Sequence, residues 1–339
     1  MIVSVCADKG APGVTTLTTA LGLVWPTERI VLEADVTGAD LPFRLQDQAG
    51  ALLDPRPLAS VLALAADVRG PQLQHDLRRY TQPTALGVPV VPGALSAEAF
   101  YGMAGLWPQV AGALTGWPGT VLADLGRLQP GDPATPVATM STAVLLLARA
   151  DVEGLYHLRE RVSELAATVG RPTLDRSPLG VVLRARAGNE AKTAVRAVQQ
   201  MLESIGSPAP VLGVFNEDGA AVEALRGRQL TRKLLNSDLL RSTRTLAEAV
   251  LTQWPQLTAP VAVTASSAHL AAEPQQAPSG NEPAPEVPVE VAAEAAAVPL
   301  TPLGATQVPS SPGWGRLAGL RRNPERQPAQ QSETGQVST

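Results

Sequence analysis

The sequence predicts an α/β fold built on a doubly wound, mostly parallel sheet. Three observations lead there. Seven short β-branched or aliphatic runs recur along the first two hundred and fifty or so residues. The runs are apolar on both faces rather than alternating, as a strand covered on both faces must be. Longer amphipathic stretches lie between the runs, and a β-α alternation of this kind buries a parallel sheet under helices.

The elements follow in order. Run one, Ile2–Val5, leads into Asp8-Lys9-Gly10-Ala11-Pro12-Gly13-Val14-Thr15-Thr16 and then a helical stretch, Leu17 to Val24. Run two, Ile30–Leu32, ends in Glu33-Ala34-Asp35, and run three, Val88–Val91, ends in Pro92-Gly93. Run four, Val121–Ala123, ends in Asp124. Run five, Ala143–Leu147, is followed by Asp151 to Val169, where Val152, Leu155, Leu158, Val162 and Leu165 recur at helical steps. Runs six and seven, Gly180–Leu183 and Val211–Val214, alternate with helical patterns at Ala191 to Ile205 and Leu239 to Leu251. Ligands of such sheets bind at the carboxyl ends of the strands, so the loops after runs one, two and four are where chemistry is expected.

Composition narrows the function classes. Of 339 residues, 45% are hydrophobic and 17% charged, enough for a sizeable core, while aromatics at 3% leave the packing to Val, Leu and Ala. A net charge of -4 gives no global attraction to nucleic acid. A local cluster at Arg226, Arg228, Arg232 and Lys233 is the one place where it would bind. Cys6 is the single cysteine, which excludes an internal disulfide, and its apolar run marks it as a core thiol. His75, His157 and His269 are scattered without ligands at metal spacing, and no nucleophile elbow stands out. Without a secretory leader or a long apolar span, a cytoplasmic protein is expected.

The loop after run one has the form of a phosphate-binding turn. Aligned on Gly13 and Thr15, it places Asp8 at the first glycine and Val14 at the lysine of G-x-x-x-x-G-K-[ST]. Backbone N–H groups at a helix start bind an anion without any lysine. Gly10 and Gly13 permit the tight path, and Thr15 offers a hydroxyl to Mg²⁺. Against this, Val14 carries no charge and Pro12 removes one donor. A glycine-rich strand-to-helix turn that binds nothing is the competing reading.

The segment resembles the deviant Walker A loop of the MinD/ParA ATPases, K-G-G-x-G-K-[ST]. Lys9, Gly10, Gly13 and Thr15 match, while Ala11 and Val14 depart. The resemblance implies that Lys9 reaches the phosphates held by the opposite subunit of a nucleotide-linked homodimer. Lys9 is one of three lysines in the chain. Glu33, Asp35, Gly38 and Leu41 fall on the family's second pattern, D-x-D-x-x-G-x-x-L, with Glu33 in place of the first aspartate. The resemblance makes Asp35 the carboxylate that orients the attacking water, and Asp124, ending run four, the carboxylate behind Mg²⁺. The family often places an adenine-reading Asn at the end of strand six, where Arg184 stands here. The resemblance therefore implies ATP and Mg²⁺ bound by Gly10, Ala11, Gly13, Val14, Thr15 and Thr16, with Lys9 and Asp35 catalytic and Thr15 and Asp124 on the metal. It implies a degenerate, slow member acting in chromosome partitioning, division or the positioning of pilus and secretion machinery, similar in its variant loop to the TadZ/CpaE-like branch. A nucleotide-free scaffold and a fully active ATPase are the alternatives.

Composition changes near Pro255. Residues 255–339, rich in Pro, Ala, Glu and Gln, are expected to be a disordered tail appended to a domain at 1–254. Within the tail, residues 313–322 hold Trp314, Leu317 and Leu320 beside Arg316, Arg321 and Arg322. As a helix this segment is basic and amphipathic, suited to peripheral contact with an anionic membrane or to an acidic protein partner.

Overall fold

The computed structural model describes residues 1–9, 13–54, 59–69, 76–170, 177–226 and 230–258. Gly10, Ala11 and Pro12, and the tail from 259 onward with its basic segment at 313–322, lie outside the described residues. The chain runs β1 (Ile2–Ala7), α1 (Val14–Val24), β2 (Arg29–Glu33), α2 (Leu41–Arg44), α3 (Val61–Asp67), β3 (Val90–Val91), α4 (Ala97–Gly102) and α5 (Trp107–Gly116). It continues through β4 (Thr120–Arg127), α6 (Thr135–Met140), β5 (Ala143–Arg149), α7 (Val152–Val169), β6 (Leu179–Ala185) and α8 (Asn189–Ser204). The last elements are β7 (Val211–Asn216), α9 (Gly219–Leu225), α10 (Arg232–Leu235) and α11 (Asp238–Gln253). Among the described residues, no helix is long and apolar enough to cross a membrane.

The strands form one seven-stranded sheet in the order β3-β2-β4-β1-β5-β6-β7. Every pairing is parallel. All seven apolar runs of the sequence became strands.

Side chains alternate between two buried layers, as the period of two requires. From β1, Val3, Val5 and Ala7 face a layer with Leu17 and Leu21 of α1 and Leu239, Leu246 and Val250 of α11. Ile2 and Cys6 face the opposite layer, which holds Leu64 of α3, Trp107 and Leu114 of α5, Val162 of α7 and Val198 of α8. Cys6 is the core thiol expected, and burial pushes its pKa up to about 12. Beyond α11, Leu257 is also buried, within a short turn at Pro255–Thr258. The packed chain thus continues past residue 254.

β1 sits centrally, with β4 on one side and β5 on the other. Chain progression reverses across it, which opens a crevice at the carboxyl ends of these strands. Asp8, just after β1, and Gly13, at the start of α1, lie at that edge of the sheet.

Candidate functional site

A cavity of about 820 Å³ opens at the crevice, within the range of nucleotide and cofactor sites. The start of α1 supplies Gly13, Val14, Thr15 and Thr16, and the end of β2 supplies Asp35. The last residues of β4 supply Gly126 and Arg127, β6 and β7 contribute Arg184 and Phe215, and Glu217 follows β7.

Gly13 caps α1 at φ 99 and ψ 35, a left-handed conformation suited to glycine, and makes no side-chain capping bond. A helix start leaves its first amides without intrahelical acceptors. The N–H groups of Val14, Thr15 and Thr16 therefore form an anion site with the dipole behind it. Val14, at the position of the P-loop lysine, is 5% exposed and belongs to the same buried layer as Leu17, Val3 and Val5. The start of α1 from Gly13 to Thr16 thus offers donors but no charge of its own.

Asp124 lies beneath this helix start. Parallel pairing sets it beside Val5 of β1 and Glu33 of β2. Its carboxylate is fully buried; Oδ1 accepts from Gly126 N at 2.9 Å. Oδ2 has no hydrogen-bond partner of ordinary geometry, although the Thr15 hydroxyl lies near enough to pull the pKa down. Burial wins over that contact and pushes the carboxyl up to about 7, with Glu33 and Asp35 adding repulsion. A buried acceptor without a good partner, beside a hydroxyl and beneath an anion site, suits the hydration shell of a divalent cation. Thr15 and Asp124 therefore fit Mg²⁺.

Asp35 reaches the cavity from the other side. Its Oδ1 accepts from Thr37 N at 2.8 Å and Thr37 Oγ1 at 2.7 Å. Its Oδ2 stands over Gly126. Thr15, Thr16 and Asp35 thus line one cavity, and Asp124 is buried next to Thr15.

Lys9 is placed elsewhere. Its Nζ lies 3.1 Å from His157 Nε2 on α7, in a separate depression lined by Asp8, Arg149 and Asp151. Within one chain it does not line the cavity. The residue ahead of it is tethered: Arg161 of α7, 5% exposed, pairs with Asp8 at 3.7 Å and donates to Leu128 O.

Glu33 has a different part from the aspartate whose place it takes. It is 1% exposed, and Oε1 accepts from Asp40 N at 2.6 Å and Leu41 N at 2.9 Å. Oε2 accepts from Gly93 N at 3.1 Å, across to the turn after β3. Burial raises its pKa, and these three amides oppose the rise. Glu33 is a clamp that holds the loops after β2 and β3 together.

Sequence reasoning missed most of the cavity's cationic lining. Arg44, Arg127 and Arg184 all face it, against Asp35, Asp40, Glu217 and Asp218. Arg184 and Glu217 stand at or just past strand ends, so the rule that led to Asp35 and Asp124 applied to them equally.

No protein-family model matches the chain, and no curated protein matches its sequence. Solved structures do match. MinD from Pyrococcus horikoshii, the septum site-determining protein complexed with Mg-ADP, is 21% identical, with a TM-score of 0.54 over 74% of this chain and 95% of that one. A ParA family ATPase from Chlorobium tepidum is 13% identical, with a TM-score of 0.54 over 73% and 98%. A single-substitution variant of Cyanothece McdA in complex with ATP is 15% identical, with a TM-score of 0.54 over 74% and 95%. At these identities the likeness establishes the fold alone: an α/β fold with a parallel sheet like that of these structures, the fold class the sequence predicted.

Proposed function

We propose that the chain binds Mg-ATP in the cavity at the start of α1 and serves as a MinD/ParA-like positioning or assembly protein with slow turnover. One observation carries this reading: the start of α1 at Val14 to Thr16 and the Asp35 carboxylate line one crevice, and the orphaned oxygen of Asp124 is buried next to Thr15. Related folds support it, since the MinD and McdA structures above hold Mg-ADP and ATP. Mg²⁺, when bound, neutralises charge on the phosphates. Thr15 and Asp124 hold it, and Asp35 accepts a hydrogen bond from the attacking water. Val14 leaves the site without the usual buried cation, which makes it the degenerate feature and the reason for slow hydrolysis.

Titration of the full chain with Mg-ATP by calorimetry tests this. Binding in the micromolar to millimolar range is expected; a folded chain that gives no heat at millimolar nucleotide overturns it. For partners we propose a second copy of the chain, engaged through Lys9 once nucleotide is bound, and a protein of a positioning or secretion machine. Residues 313–322 would add a weak peripheral membrane contact that dimerisation strengthens. Loss of nucleotide-linked dimerisation in Lys9→Ala, seen by light scattering, checks the role of Lys9.

A nucleotide-free scaffold is the second reading, favoured by the apolar burial of Val14 and by the contact of Lys9 with His157. It predicts no Mg-ATP heat and no effect of Lys9→Ala on dimerisation.

A further inference from the structure

The cation missing at Val14 has a counterpart close in space but distant in sequence. β6 lies two strands away from β1, with β5 between them. Arg184, near the carboxyl end of β6, extends across that gap towards Gly13 at the start of α1. A methyl group built on Gly13 would lie 3.8 Å from Arg184 Nη1 and 3.9 Å from the Phe215 ring. The guanidinium therefore stands at the helix start, bordering the space that a side chain on Gly13 would occupy.

Its orientation is fixed from behind. Arg184 Nε pairs with Glu217 Oε1 at 3.1 Å, and Glu217 also faces Arg186 Nε at 3.8 Å. That contact uses the Nε edge, while Nη1 is the guanidinium atom nearest Gly13. A planar fork steadied along one edge engages a phosphate along another with little further loss of freedom. Arginine is also donor-only, so it cannot supply the paired donor and acceptor with which an amide side chain reads adenine. Its chemistry fits phosphate rather than base.

We propose that Arg184 is the phosphate-binding cation of this cavity, delivered from β6 in place of the lysine absent at Val14, with Glu217 as the residue that positions it. The inference rests on the nucleotide-binding reading above and adds to it which group contacts the polyphosphate. Arg184 is close to Gly13, so its charge falls on the phosphates nearest the start of α1.

The experiment compares three probes on the full chain: Mg-ATP, inorganic tripolyphosphate and adenosine. Arg184→Ala should weaken both Mg-ATP and tripolyphosphate at least tenfold and leave adenosine unchanged. Arg184→Lys should recover most of the loss. If Arg184→Ala fails to fold, Arg184→Gln, which keeps a donor for Glu217, carries the same comparison. Wild-type tripolyphosphate affinity in folded Arg184→Ala or Arg184→Gln overturns the proposal, as does an equal loss for adenosine. The two readings separate cleanly. A wild-type chain that binds neither Mg-ATP nor tripolyphosphate overturns the nucleotide site and Arg184's role together, whereas Mg-ATP binding that is indifferent to Arg184 overturns only the latter.

Discussion

A side chain on Gly126 would collide with the Asp35 carboxylate: a Cβ built there would overlap Asp35 Oδ2 and Cγ. Gly126 adopts φ +53, and the pairing of β4 with β1 shifts register just there. Its N–H donates to Asp124 Oδ1. A single glycine thus sets the spacing of both cavity carboxylates, through its amide on one and its missing side chain on the other.

Gly126→Ala should therefore cost more than an ordinary strand glycine. The left-handed backbone alone costs a side chain about 1–2 kcal/mol. The collision adds displacement of Asp35 from Thr37. Chemical denaturation should show the stability loss, and Mg-ATP titration a weaker site. Pairing Gly126→Ala with Asp35→Ala should relieve the collision while the backbone cost stays, so the two losses should be less than additive. Full additivity would show that the two residues do not meet.

Glu33 is predicted to matter for stability ahead of catalysis. Its carboxylate takes three amides from two loops, and removing an acceptor strands those donors in the interior. A buried unsatisfied donor costs about 1–3 kcal/mol. Glu33→Gln keeps one acceptor oxygen but turns an NH₂ group towards an N–H, so a loss within that range is expected. Glu33→Ala abandons all three amides and should cost more. An alanine variant as stable as the glutamine one, by urea midpoint, argues against the clamp.

The contrast between Glu33 and Arg184 shows what was legible in the sequence. Strands were readable because burial on both faces forces continuous apolar runs, and every such run found its place in the sheet. Asp35 and Asp124 were readable because each follows an apolar run, and parallel strands deliver the carboxyl ends of such runs to one edge. The part played by Glu33 was not, since its partner Gly93 lies 60 residues away and only the β2–β3 pairing joins them. The approach of Arg184 to Gly13 was hidden likewise, because it depends on strand order and on the reach of a long side chain. The direction of Lys9 has no periodicity to reveal it. Short helices such as α4 and α6 left no signal strong enough to read beforehand.

Asp124 predicts a pH dependence whose sign follows from its raised pKa. The folded value of about 7 stands above the ordinary 3.8, so between them the folded chain binds more protons than the unfolded one. Stability from this group is then greatest below about pH 4, declines as pH rises towards 7 and is level above that, the total decline being at most about 4 kcal/mol. Glu33 acts in the same direction, so wild type alone does not isolate Asp124. Denaturation midpoints at pH 5 and pH 8, without Mg²⁺ or nucleotide, should fall further for wild type than for Asp124→Asn. Parallel pH profiles for the two proteins would mean that Asp124 is not a buried, protonated group.

Restoring the lysine gives the sharpest test of how charge reaches the phosphates. Val14 belongs to the same buried layer as Leu17, Val3 and Val5, and its exposed fringe borders the cavity. Val14→Lys should lose some stability through that packing, because the stem of a lysine is longer than the valine it replaces and its ammonium must reach the cavity mouth. In return, a cation preorganised against the phosphates should raise Mg-ATP hydrolysis by about tenfold or more above an Asp35→Asn control. The informative comparison is with Arg184→Ala. If Arg184 and a lysine at position 14 serve the same phosphates, the lysine should recover much of what Arg184→Ala removes, and the double variant should bind tripolyphosphate better than Arg184→Ala alone. Their combined effects should then fall short of the sum of the separate ones, as expected for groups acting on one ligand. Strict additivity, measured as phosphate release and tripolyphosphate affinity in all four proteins, would place the two cations on different parts of the ligand. It would leave the valine uncompensated.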